Sequence, residues 1–231
     1  MKNLKKTIAV VMAALVMVLA FAGCGSSSVP DAFKGRLLES YIETIQSNQY
    51  TYEASSVDGS GTPLTYAKYG EDQIMVTTTV DDTSTTMMKK DGKYYIVSGA
   101  QKAYTDATGD SKTTVENLIN QFTLDNFVSA TFVEAGQTKV KSVEYQYEDY
   151  YTAVTQTKNR FFFDDEGKLV MVGNVKDDGS IKSYTYMSIY TTNESTFTLL
   201  DGYQYVSQDD DSSAATTKKA STKTTTEKAD K

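Results

Sequence analysis

The sequence predicts an α+β domain, an antiparallel meander of about ten strands with an N-terminal helix and a mid-chain helical pair. Three observations carry that reading. Apolar residues recur at helical spacing between Phe33 and Ile45. From Tyr50 the period changes to two, and the runs are punctuated by Asp- and Gly-containing turns. The alternation breaks once, between Thr113 and Val128, where helical spacing returns.

Ahead of this body stands MKNLKKTIAVVMAALVMVLAFAGC. Lys2, Lys5 and Lys6 form a positive n-region, and Ile8 to Ala22 is an uninterrupted apolar run. That run is shorter than the ~18–20 residues a spanning helix needs, and it ends on small residues, as a secretory signal does. Phe21-Ala22-Gly23-Cys24 resembles the lipobox of bacterial lipoproteins, although leucine is usual where Phe21 stands. The resemblance implies that residues 1–23 are a signal peptide, that the Cys24 thiol carries lipid, and that 24–31 is a Ser-rich tether. Cys24 is the sole cysteine, and lipidation accounts for an unpaired thiol in an exported chain. An uncleaved anchor and an ordinary signal with an incidental cysteine are the alternatives.

The folded domain is expected over 32–207. Pro30-Asp31 opens a helix to about Ser47, with Phe33, Leu37, Leu38, Tyr41, Ile42 and Ile45 on one face. Strands follow at Tyr50–Ala54, Leu64–Tyr69, Gln73–Val80, Ser84–Lys90, Lys93–Ser98 and Lys102–Asp106. Gly59-Ser60-Gly61 leads into another strand and not into a helix, so it is a hairpin loop and no phosphate cradle. Asp91-Gly92 suits a two-residue hairpin with positive φ at both positions. Thr113-Thr114-Val115-Glu116 has capping-box spacing ahead of Leu118, Ile119 and Phe122, and Thr123 caps a second short helix with Leu124, Phe127 and Val128. Strands resume at Thr138–Tyr151, Thr152–Asp164, Lys168–Lys176 and Ile181–Thr191, with a last one from Thr196 to about Leu200. Residues 208–231 hold no apolar side chain larger than alanine and read as a disordered Thr/Lys-rich tail.

Composition excludes several functions. Removing the three leader lysines takes the net charge from −7 to −10, opposite in sign to a nucleic-acid-binding surface. Such a body is also repelled by anionic headgroups, so the lipid anchor must hold it to the membrane. The chain has no histidine, which removes Ser-His-Asp and Cys-His catalysis and the commonest transition-metal ligand. No metal, cofactor or enzymatic activity is expected. Asp81-Asp82, Asp164-Asp165-Glu166 and Asp177-Asp178 fall where hairpin turns are expected and match no calcium loop. Glu144 and Glu148 are ~13 Å apart along a strand, too far for a glycosidase pair, and Glu148 and Asp149 point to opposite faces.

Phe161-Phe162-Phe163 and Val170-Met171-Val172 place apolar residues on both faces of mid-strand. That pattern suits a central strand pair, or a curved sheet whose concave face encloses an apolar ligand. The element order on an exported chain, with Asp91-Gly92-Lys93-Tyr94-Tyr95-Ile96 and Phe161 to Val170 as local echoes, resembles the LolA/LppX-like lipoprotein and lipid-carrier superfamily. The resemblance implies a half-barrel with helices on its concave side and a lipid or other apolar ligand beneath them. Leu38, Ile42, Leu118, Ile119, Phe122 and Phe127 are the candidate cavity residues. A self-filled core, with function through protein partners, is the alternative.

Overall fold

The computed structural model describes residues 28–207 apart from positions 126, 154, 199 and 200; Cys24, the leader and the tail lie outside the described residues. Twelve strands form one open sheet: β1 (Gln49–Ser56), β2 (Leu64–Tyr69), β3 (Gln73–Val80), β4 (Thr83–Lys90), β5 (Lys93–Ser98), β6 (Ala103–Asp106), β7 (Thr131–Val140), β8 (Val143–Thr152), β9 (Thr157–Phe163), β10 (Leu169–Val175), β11 (Ile181–Thr191) and β12 (Gln204–Tyr205). Their order is β12-β6-β5-β4-β3-β2-β1-β11-β10-β9-β8-β7. The pairings are antiparallel except β12 with β6. Helices α1 (Glu39–Gln46) and α2 (Gly109–Phe122) lie on one face of this curved sheet, α1 over β1 and β11 and α2 over β3 to β5. No helix among the described residues is long and apolar enough to cross a membrane.

Turn chemistry sets the register. Asp81 and Asp82, Asp91 and Gly92, and Lys141 and Ser142 each adopt positive φ, the geometry a two-residue hairpin demands. The carboxylates of Asp58, Asp164 and Asp178 accept backbone N–H bonds two to four residues ahead, from Ser60, from Glu166 and Lys168, and from Ser180. Those acids build turns.

The first helix is shorter than its apolar stripe implies. Residues 31–38 form successive turns and α1 starts at Glu39. Gly35 at φ +67° interrupts the helical backbone, so the stripe from Phe33 to Ile45 is assembled from turns and helix together. The second helix begins at Gly109, earlier than Thr113; the Ser111 hydroxyl accepts the Thr108 N–H there. In place of a further helix after Thr123 there is one 3₁₀ turn, Phe127–Ser129. The strand expected from Thr138 to Tyr151 holds only the last three residues of β7, which begins at Thr131, and most of β8, because Lys141-Ser142 turns the chain without glycine. The strand expected from Thr196 is a 3₁₀ turn, Glu194–Phe197.

That last turn lies on the face away from the helices. Lys90, in phase with buried Met88, donates to the Phe197 carbonyl at 3.0 Å, and Phe197 is buried. The turn Glu194–Phe197 therefore covers part of the outer face of β3 and β4. Further along, buried Phe162 packs between the rings of Tyr145 and Tyr184, with centroids 6.2 and 5.7 Å away, and Met171 pairs with it across the strands. Apolar residues on both faces are thus accounted for by tyrosines and a returning chain, without a ligand layer.

Candidate functional site

The helix-bearing face is aromatic because its inward positions are. Tyr50 and Tyr52 on β1, Tyr66 on β2, Tyr150 on β8 and Phe161 on β9 all point under the helices and are buried. Phe33 stacks on Tyr150 with ring centroids 4.8 Å apart, and Phe127 lies 4.9 Å from Phe161. Ring pairs at these separations add attraction beyond the area they bury.

Two polar anchors fix α1 to this layer. The Leu37 and Leu38 N–H groups donate to the buried Glu148 carboxylate at 2.9 and 3.3 Å, and the Tyr150 hydroxyl donates to it at 3.0 Å. The Leu169 N–H donates to the Tyr41 hydroxyl at 2.9 Å. On the opposite face Asp149 is fully buried and held by a fork from Arg160, at 2.7 and 2.9 Å, with Lys158 at 3.5 Å. Arg160 lies 3.8 Å over the Tyr147 ring, which in turn covers Gly136 on β7. Glu148 and Asp149 point to opposite faces, as the strand period requires, and each is committed to a structural bond.

The six candidate cavity residues all belong to one buried cluster. Leu38, Ile42 and Phe127 border a gap between α1 and the sheet, with Phe161, Val172 and Met187 across from them. Its volume is about 20 Å³, against the ~300–1,000 Å³ of ligand pockets. Leu118 and Phe122 border neither this gap nor the groove described next, and Ile119 reaches that groove.

The groove has a volume of about 310 Å³ and runs between α2 and strands β2 to β5. Lys68 enters its floor with a side chain 4 % exposed, ion-paired with Asp125 and 3.8 Å from Glu71. Tyr50 ties the end of α2 to that pair: its hydroxyl donates to Asp125 Oδ1 at 3.0 Å and accepts the Leu124 N–H at 3.0 Å. The Tyr52 hydroxyl donates to the Phe122 carbonyl at 2.7 Å, satisfying a helix-terminal acceptor. Burial pushes the phenols of Tyr50, Tyr52 and Tyr66 well above the ordinary tyrosine range, so all three stay neutral, and those of Tyr50 and Tyr52 act as donors. The sequence marks this groove only faintly. One signal was present: Leu64, Tyr66 and Lys68 share the inward phase of β2, and a lysine there interrupts an otherwise core-facing row.

No family model and no curated protein matches the chain. Among solved structures it is similar to MucB in complex with MucA(peri), with a TM-score of 0.38 and 12% identity, covering 76% of this chain and 62% of that one. The chain thus spans under two thirds of the MucB length. It is similar to an uncharacterized conserved protein from Thermus thermophilus, with a TM-score of 0.37 and 6% identity, covering 74% of this chain and 97% of that one. It is also similar to a protein described as an outer membrane lipoprotein-sorting domain from Vibrio parahaemolyticus, with a TM-score of 0.30 and 10% identity, covering 65% of this chain and 88% of that one.

Proposed function

We propose that this chain is an extracytoplasmic lipoprotein, tethered to the cell membrane through Cys24, that acts through partners met at its surface and is not an enzyme. The observation that carries the reading is the gap of about 20 Å³ between α1 and the sheet. Phe33, Phe127, Tyr150 and Phe161 fill the place a lipid chain would take. The location is supported by the basic n-region, the apolar run and the lipobox-like Ala22-Gly23-Cys24, and a body of strongly negative net charge needs such a tether at an anionic membrane.

The carrier reading keeps one supporting feature, an almost wholly apolar lining around that gap. It requires α1 to lift, which breaks the bonds from Leu37 and Leu38 to Glu148 and from Leu169 to Tyr41. Native mass spectrometry of the purified protein separates the two readings. Protein carrying no apolar molecule beyond its own covalent lipid is expected; a stoichiometric co-purified lipid would overturn the self-filled reading. Cys24→Ala is expected to move the protein from the detergent phase to the aqueous phase, and continued membrane partition would establish an uncleaved anchor.

A further inference from the structure

We infer that the groove beneath α2 binds a small neutral polyhydroxylated molecule, a sugar or sugar-like polyol, between the Asn117 and Asn120 amides and the sheet. Its volume of about 310 Å³ sits at the small end of ligand pockets, the scale of one or two sugar rings.

Each charged group in or beside the groove already has one of opposite sign within 4 Å, Lys68 being shared by two carboxylates. Lys68 meets Asp125 and Glu71, Lys89 lies 3.3 Å from Asp72 and donates to the Glu71 carbonyl at 2.7 Å, and Glu116 lies 3.7 Å from Lys112. An anion or a cation entering here finds no unpaired opposite charge to offset its desolvation. An apolar molecule is disfavoured from the other side, because it would strip water from these ionic and amide groups without replacing their bonds.

What remains without a partner is hydrogen-bonding capacity of both signs. Among the described residues the exposed side-chain amides of Asn117 and Asn120 make no bond. The Tyr66 hydroxyl, which lines the groove beside Thr123, is buried and completes no hydrogen bond to the protein, so it keeps capacity for one. Amides and hydroxyls both donate and accept, and so does each hydroxyl of a polyol. Ile74, Tyr94 and Ile119 add an apolar strip against which the C–H face of a sugar ring can lie.

The test is titration calorimetry on the full-length chain, in a detergent without a sugar headgroup, with D-glucose, N-acetyl-D-glucosamine, inorganic phosphate and the tetramethylammonium cation as probes. Binding of at least one of the two sugars, and of neither charged probe, is expected. Asn117→Ala/Asn120→Ala changes two exposed helix positions to the best helix former, so folding is retained, and sugar binding is expected to weaken about tenfold. Three results would each overturn the inference: no heat from either sugar, binding of phosphate or tetramethylammonium equal to that of a sugar, or an unchanged sugar affinity in a double variant of unchanged melting temperature.

Discussion

Glu148 on β8 and Leu38 at the start of α1 are joined through the layer between sheet and helix: the Leu38 N–H, with that of Leu37, donates to the Glu148 carboxylate. Helix α1 has no side-chain cap of its own, so a residue 110 positions away supplies the anion that its first turn favours. The third donor is Tyr150, whose phenol is kept protonated by its burial and by the neighbouring carboxylate. Glu148→Ala leaves three donors without an acceptor, and a loss of about 3 kcal/mol is expected in urea unfolding. Glu148→Gln keeps one acceptor, so its loss should be about half as large. Equal midpoints for wild type and Glu148→Ala would show that α1 is held by apolar contacts alone.

Lys68 and Asp125 should respond asymmetrically to substitution. Lys68 is almost fully covered while Asp125 is a third exposed. Removing the carboxylate strands a covered ammonium whose remaining partner, Glu71, is 3.8 Å away. Asp125→Asn is therefore expected to lower stability by about 2 kcal/mol, below the usual figure for a fully buried pair because Asp125 reaches solvent. Lys68→Met should come within about 1 kcal/mol of wild type, since it removes the charge that needed a partner. A stability loss for Lys68→Met exceeding that for Asp125→Asn would sink this account.

The β-meander was legible because period-two runs and Asp- or Gly-containing turns agree at each hairpin from β2 to β5 and again at β9 to β11. Errors fell where local chemistry gives no such mark. Lys141-Ser142 turns the β7–β8 hairpin with two non-glycine residues at positive φ, which composition does not announce. The apolar stripe from Phe33 to Ile45 is real, but Gly35 breaks its backbone, and periodicity alone cannot tell one helix from turns plus a helix. For Phe162 and Met171 the sequence leaves both a central strand pair and a ligand-enclosing sheet open. Their cover is long-range, from Tyr145 and Tyr184 on other strands. The groove at Lys68 depends on α2 lying over β3 to β5, a tertiary fact with one faint local trace.

Gly35 makes the break in the first helix testable. A Cβ there meets nothing within 4 Å, so substitution acts on the backbone alone. At φ +67° a non-glycine residue costs about 1–2 kcal/mol, and Gly35→Ala is expected to fall by that amount in thermal or urea unfolding. Stabilisation instead would mean that residues 31–38 join α1 as one continuous helix in solution.

The Asp58 turn gives a pH prediction. The Ser56 hydroxyl and then the Ser60 hydroxyl and N–H hold its carboxyl at about 2, below the ordinary 3.8. A depressed folded-state value means that the turn's contribution is complete above about 3.8 and is lost as pH falls through about 2. Carboxyl chemical shifts followed by NMR should titrate near 2 for Asp58, and Ser60→Ala should raise that midpoint toward 3.8. A wild-type midpoint at the ordinary value would show that these bonds do not persist in water.

Phe127 offers the sharpest test of a self-filled core. Its ring lies 5.6 Å from Phe33, 6.0 Å from Tyr150 and 4.9 Å from Phe161, and it borders the small gap beside Leu38 and Ile42. Truncation to alanine removes the aromatic ring from a close-packed site that relaxes only in part, at a cost of about 3–5 kcal/mol. The space released joins the existing gap, and an apolar cavity of that kind stays dry and accepts a small apolar guest. Wild-type protein is accordingly expected to show no shift in melting temperature with benzene, whereas Phe127→Ala should be stabilised by it. The comparison separates core filling from folding, because a variant that gains stability from a guest must already be folded. Wild-type protein stabilised by benzene as strongly as the variant would show that the gap opens spontaneously, and the carrier reading would then replace the self-filled one.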